Sequence, residues 1–223
     1  MTFKLLMQTL LKIITGFILL AALLFIPAGT FKYQNAWILI GVLFIPMIIV
    51  GIILMIKSPE RLKERLNSKE TESKQKLVVL LSALMFICGF ILAGLNFRYN
   101  WHEISNITVY ISTVIFLISF LMYAEVLREN MFLSRVIKVQ ENHKVVDTGL
   151  YGIVRHPMYT STIIMFLTMP LILGSLISFV IFLVYPFIIA IRIKNEEDYL
   201  EKELEGYKEY KEKVKYKIIP FIW

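Results

Sequence analysis

Hydrophobic residues along this chain come in runs of about twenty, separated by short polar segments. The clearest runs are Leu5 to Ile26, Ala36 to Ile56, Leu77 to Phe97 and Ile107 to Leu127. Each is long enough to cross a hydrocarbon core about 30 Å thick. A fifth block, Tyr159 to Ile191, is 33 residues long. As one helix it would reach about 50 Å at 1.5 Å per residue, so a break at Gly174-Ser175 into two shorter helices is predicted. The pattern therefore predicts an all-α, polytopic integral membrane protein with about six transmembrane helices, the last two forming a hairpin. The first run, with Lys4 ahead of it and Pro27-Ala28-Gly29 behind, has the outline of a signal peptide. Its apolar stretch is long for one and Pro27 is a poor neighbour for cleavage, so it is read as an uncleaved helix.

The polar segments carry their own periodicity. In the 57–76 segment, Ser58 and Pro59 suit the cap and first position of a short helix, with Leu62 and Leu66 on one face, as expected of a helix lying on lipid head groups. Beyond Asn195 the chain is charged, with Leu200, Leu204, Tyr207, Tyr210 and Val214 at spacings of three and four. This predicts an amphipathic tail helix, interrupted at Gly206 and ending at Pro220.

Charge sets the orientation. Residues 57–76 hold seven Lys or Arg, residues 128–157 five and the tail from Arg192 onward eight, against one each in 27–35 (Lys32) and 98–105 (Arg98). By the positive-inside rule both termini, the 57–76 segment and the 128–157 segment face the cytoplasm. The net charge of +7 is then accounted for by topology and anionic lipid, without a nucleic-acid partner. The composition agrees: 57% of residues are hydrophobic, and the mean hydropathy is +0.68. A single cysteine, Cys88, excludes a disulfide framework and a cysteine-based metal site. No Gly-x-Gly-x-x-Gly, P-loop or Gly-x-Ser-x-Gly motif occurs. The chain divides into a four-span anchor, residues 1–127, and a polar-punctuated region, residues 128–223.

Chemistry gathers in the second region. The segment from Gly149 to Tyr159 reads Gly-Leu-Tyr-Gly-Ile-Val-Arg-His-Pro-Met-Tyr, and Arg192 and Glu196 follow Tyr159 at 33 and 37 residues. Ionisable groups at a bilayer boundary carry a desolvation cost that a ligand can offset. His156 precedes Pro157 and so stands at the entrance of the fifth span, where free backbone N–H groups favour an anion. With Arg155 it suits a carboxylate or phosphate; simple interfacial anchoring accounts for the pair equally well. Tyr151 and Tyr159 also fit an aromatic belt. Arg192 and Glu196 share one helix face, either as an ion pair or as an acid gripping ribose hydroxyls beside an arginine gripping an acidic substrate. A hairpin returns both clusters to the same side. The three histidines lack metal-ligand spacing, and His102 lies on the opposite side from His143 and His156, so no metal is expected.

At these residues the chain resembles the isoprenylcysteine carboxyl methyltransferase family and its relatives, the membrane phospholipid N-methyltransferases. The pattern runs from Gln140 through His143-Lys144-Val145-Val146, Gly149-x-Tyr151 and Arg155-His156-Pro157-x-Tyr159 to Arg192 and Glu196-Glu197-x-x-Leu200, then Tyr207-x-x-Tyr210 and Ile219-Pro220. It covers roughly the last 85 residues. The resemblance implies an integral membrane methyltransferase that binds S-adenosyl-L-methionine in a cytoplasm-facing pocket and acts on a lipophilic acceptor. It implies donor contacts from Gln140, His143, Lys144, Val145, Val146, Tyr151, His156, Pro157, Met158, Tyr159 and Glu196, with Arg192 orienting the substrate carboxylate. Ser161 stands where many members have glycine. The first four spans match only in hydropathy, which leaves the acceptor open.

The donor already carries an activated methyl group, so the protein's main task is to align the two reactants. A carboxylate acceptor needs no general base, whereas an ammonium must first lose a proton. The absence of an obvious acid and base pair in the motif favours the carboxylate of an isoprenylcysteine-like acid. Amine methylation of a phospholipid, an NADPH-dependent membrane reductase with related terminal helices, and a non-catalytic transporter or structural subunit are the alternatives. The few polar residues in the spans, Lys12 among them, argue against a transporter.

Overall fold

The computed structural model describes residues 3–66, 73–134, 136, 139 and 141–223, which form helices and connecting segments without a strand. The chain runs through α1 (Phe3–Ala28), α2 (Gln34–Lys57), the short α3 (Pro59–Leu66), α4 (Ser73–Tyr99) and α5 (Asn106–Glu129). A 27-residue connection, 130–156, then leads to α6 (Pro157–Ile172), α7 (Leu176–Phe182), α8 (Tyr185–Glu203) and α9 (Tyr207–Lys213).

The long helices are apolar all round, and large side chains such as Leu11, Ile26, Ile107 and Leu121 stand exposed on their outer faces. Lipid is the environment such a surface requires. Among the described residues five helical stretches are long and apolar enough to cross a bilayer: α1, α2, α4 from Gln75, α5 and the Leu176–Glu203 stretch. The sixth apolar helix, α6, has only 16 residues, about 24 Å at 1.5 Å per residue.

The predicted break at Gly174-Ser175 is present. Gly174 has φ +74°, and a Cβ there would meet Asn35 Nδ2 at 2.9 Å, so this turn needs glycine. The Ser175 side chain then accepts from Ser178 N at 3.2 Å and caps α7. A second interruption, which the hydropathy pattern did not announce, falls at Leu183-Val184, just ahead of Pro186 in the first turn of α8. Proline cannot donate to the preceding turn, so the helix restarts there. The hairpin tip is clasped to the first four spans: the Tyr33 hydroxyl donates to Leu173 O at 2.5 Å, and Asn96 Nδ2 donates to His102 O at 3.0 Å and Gly174 O at 3.4 Å.

One hydrophobic core joins the first four spans to the hairpin, from Leu20, Leu24 and Phe44 through Phe116 to Met165, Phe182 and Ile189. Phe86 of α4 meets Phe166 and Phe182 edge-on, with centroids 4.9 and 5.4 Å away. The Phe182 ring lies directly over Gly89, and Ser178 Oγ donates to Gly89 O at 2.8 Å. Without a side chain at Gly89, α7 packs close to α4.

Two expectations about the polar segments change. The α3 helix forms from Pro59 as predicted, but it lies against the bundle: Leu62 is buried and the Arg65 guanidinium sits 5.4 Å over the Tyr123 ring. The tail breaks at Gly206 as expected, where φ is +82° after Leu204 turns extended, but its second helix does not reach Pro220: α9 ends at Lys213, and the chain after Val214 forms a non-helical strap. That strap accepts from Arg155 N at Tyr216 O (2.9 Å) and from His156 N at Lys217 O (2.8 Å). The apolar stripe of the tail, Leu204, Tyr207, Tyr210 and Val214, packs on Val139, Val145 and Leu200 rather than on lipid.

Candidate active site

The 130–156 connection is fixed to the end of α5. Glu129 accepts from the Thr148 hydroxyl at 2.8 Å and from Leu150 N at 3.3 Å, and its carboxylate presses against Gly149, whose φ is +51°. Any side chain at Gly149 would meet both a strained backbone and that carboxylate. Tyr151 is held at both ends: its hydroxyl accepts from Asn130 Nδ2 at 3.0 Å, and its carbonyl accepts from the Tyr210 hydroxyl at 2.8 Å. Burial raises the pKa of both phenols, so they stay protonated.

His156 caps α6 and Pro157 occupies its first position. The anion that Arg155 and His156 attract is the protein's own Glu197. Arg155 Nε donates to Glu197 Oε1 at 2.7 Å, His156 Nε2 lies 3.2 Å from the same oxygen, and Lys217 Nζ and Lys211 Nζ stand 3.4 and 3.9 Å from Oε2. Arg155 and Glu197 are only 5% and 3% exposed, so each requires the other. Arg155 Nη1 also donates to Val214 O at 2.7 Å and Lys215 O at 2.9 Å, which ties the strap to the motif.

The neighbouring pair acts differently. Arg192 Nε donates to the Tyr159 hydroxyl at 2.8 Å, and that hydroxyl donates to Glu196 Oε2 at 2.5 Å. Tyr159 thus bridges the arginine and the acid that the sequence placed on one helix face.

Asn130, Tyr151, Arg155, His156, Tyr159, Arg192 and Glu196 border a single open cleft. Of the expected donor contacts, His143, Lys144, Val145, Val146, Tyr151, His156, Met158, Tyr159 and Glu196 line it, together with Arg192. Pro157 does not; it is fully buried, and its role is to start α6. Gln140 lies outside the described residues. Its lining combines polar groups, Tyr159, Arg192 and Glu196 among them, with apolar ones, including Val145, Val146, Leu200 and Leu204. His143 stacks on Phe132 with centroids 4.5 Å apart. Its half-burial lowers the imidazole pKa, which keeps it neutral at pH 7. Among the described residues no cluster of three or more His, Cys, Asp or Glu is placed to hold a metal.

Several lining residues were not among the expected donor contacts. Asn130 and Phe132 sit in a connection with no recognisable periodicity. Leu200, Leu204, Tyr207 and Tyr210 form the tail stripe, and its period, with the place of Leu200, Tyr207 and Tyr210 in the family pattern, was the available signal. Glu197, about 100° round the helix from Glu196, faces the Arg155 cluster instead.

Such a lining presents a carboxylate, a guanidinium and apolar side chains to whatever enters it. Residues 108–202 match the isoprenylcysteine carboxyl methyltransferase (ICMT) family. The match spans nearly all of α5, the connection, and α6 to α8 as far as Lys202, and so includes Arg155, His156, Arg192 and Glu196. No curated protein matches the chain.

Proposed function

We propose, from this family match to a membrane methyltransferase, that the cleft binds S-adenosyl-L-methionine and that the chain transfers its methyl group to a lipophilic carboxylate, of which an isoprenylcysteine is the type. The observation carrying the reading is convergence: His143 to Val146, Tyr151 with His156, Met158 and Tyr159, and Arg192 with Glu196 come from three separate segments and border one cleft.

The lining suits the donor. Glu196 offers a carboxylate to ribose hydroxyls, Val145, Val146, Leu200 and Leu204 offer an apolar slot for a base, and Tyr151, His156 and Tyr159 offer polar and aromatic surface. Gln140 is included by its place in the motif. When bound, the donor supplies an electrophilic methyl group. The protein's contribution is alignment, worth up to about 7–11 kcal/mol of barrier in well-oriented systems. Arg192, fixed through Tyr159, presents the acceptor carboxylate, and a carboxylate nucleophile needs no proton removed.

In this reading residues 1–127 form the four-span anchor and residues 128–223 the donor-binding region. The charge asymmetry supports a cleft and termini that face the cytoplasm. The acceptor enters from the bilayer as a lipid-borne acid. The test is methyl incorporation from labelled donor by purified protein in lipid vesicles. Transfer to N-acetyl-S-farnesylcysteine supports the reading. Transfer to phosphatidylethanolamine alone replaces the acceptor class, and binding of NADPH in place of the donor overturns the reaction.

A further inference from the structure

Tyr207 opens α9, just beyond the residues matched to the family, and lies on the wall of the cleft. Its side chain is 4% exposed, and its hydroxyl is fully buried with no hydrogen-bond partner among the described residues. The neighbouring Tyr210, one helical turn on, is as buried, yet its hydroxyl donates to Tyr151 O at 2.8 Å. Two phenols in the same small cluster thus differ: one closes the fold and the other has nothing to bond.

An unsatisfied buried hydroxyl costs free energy in the ligand-free protein. Phenylalanine would fill the same space without that cost. A tyrosine held there at the edge of a binding cleft is explained by a bond formed only when the cleft is filled. Burial raises its pKa, as do the nearby Glu197 and Glu196, so the group is a protonated donor.

Building on the donor site argued above, we propose that Tyr207 is a ligand contact: its hydroxyl donates a hydrogen bond to an acceptor atom of the bound methyl donor, and it is unsatisfied until the donor arrives. The acceptors of that ligand fall at its two ends, the carboxylate oxygens of the amino-acid end and the ring nitrogens and ribose oxygens of the nucleoside. Either would be reached by a phenol from the tail, which gives the tail a direct share in donor recognition beyond its packing on Val139, Val145 and Leu200.

The proposal makes opposite demands on stability and binding. Tyr207→Phe in the full chain should melt at or above the wild-type temperature without ligand, and should bind S-adenosylhomocysteine about tenfold more weakly by calorimetry, the scale of one lost hydrogen bond. Tyr210→Phe should melt below wild type, because it deprives the buried Tyr151 carbonyl of its donor. Repeating the titration with 5′-methylthioadenosine, which lacks the amino-acid end, locates the contact. A penalty confined to S-adenosylhomocysteine assigns it to the amino-acid end, and a penalty on both ligands assigns it to the nucleoside. Unchanged affinity for S-adenosylhomocysteine in Tyr207→Phe overturns the proposal, as does a melting loss matching that of Tyr210→Phe, which marks a structural hydroxyl. Failure of the wild type to bind S-adenosylhomocysteine instead removes the donor site itself.

Discussion

Replacing Glu197 by glutamine separates the residue that holds the site together from the one that contacts ligand. Glu197 Oε1 receives Arg155 Nε at 2.7 Å and lies 3.2 Å from His156 Nε2, and Lys217 approaches Oε2 at 3.4 Å. Glu197→Gln keeps an acceptor oxygen but removes the charge, leaving Arg155, 5% exposed, without its counter-ion. Breaking one side of a buried pair costs about 3–5 kcal/mol. Because the amide still accepts one bond, the lower end applies, about 3 kcal/mol. For a chain of this size that is a fall of about 6–12 °C in Tm, at about 2–4 °C per kcal/mol. Intrinsic fluorescence melting in detergent measures it, and Trp223, 5.1 Å from Lys217 Nζ, sits beside the cluster. Glu196→Gln, by contrast, removes a carboxylate bonded to Tyr159 at the cleft and should lower donor affinity with a smaller loss of Tm. Adding Arg155→Met to Glu197→Gln should recover part of the loss, since no buried cation then remains. The reasoning fails if Glu197→Gln melts within a degree of wild type, or if Glu196→Gln is the more destabilising of the two.

Other outcomes follow from the same geometry. Arg192→Lys keeps the charge but loses the planar fork, so turnover should fall while affinity for S-adenosylhomocysteine stays near wild type; full activity on a responsive acceptor would take Arg192 out of substrate orientation. Gly149→Ala meets positive φ and the Glu129 carboxylate together and should cost at least about 1–2 kcal/mol, seen as lowered Tm and weakened donor binding; a neutral result would mean the loop relaxes freely. In a Cys88→Ser background, cysteine at Lys144 should react only with reagents reaching the cytoplasm and cysteine at Leu176, beside the hairpin turn, only from the opposite side. Labelling of both from one side would undo the assigned topology. The His143 imidazole should titrate below the ordinary range for histidine in an NMR titration, so protonation as pH falls through that lowered pKa is what weakens its stacked, half-buried state.

The helical membrane class and the Gly174 turn were legible because hydropathy runs and a glycine needed for positive φ are local signals. The cleft-lining residues were legible only in combination, since a motif before the hairpin and another after it become neighbours when the chain reverses. The role of Glu197 was not legible. Helical spacing correctly separates it from Arg192, but nothing local says that Arg155, 42 residues earlier, closes on it. The tail misled for a similar reason: its apolar period was real, yet its partner was the connection after α5, and main-chain bonds to Arg155 and His156 took over where the helix was expected to continue. The break at Leu183-Val184 lies inside an unbroken apolar run, where only Pro186 marked it.

The central claim is that the cleft bordered by His143, Tyr151, Tyr159 and Glu196 holds the methyl donor. Calorimetric titration of S-adenosylhomocysteine into the purified chain, alongside Glu196→Gln and an exposed control on the same helix, Lys194→Gln, tests it most directly. The account predicts saturable one-site binding to wild type and Lys194→Gln and at least tenfold weaker binding to Glu196→Gln. Absence of binding to the folded wild-type protein, or equal affinity in all three, would contradict it.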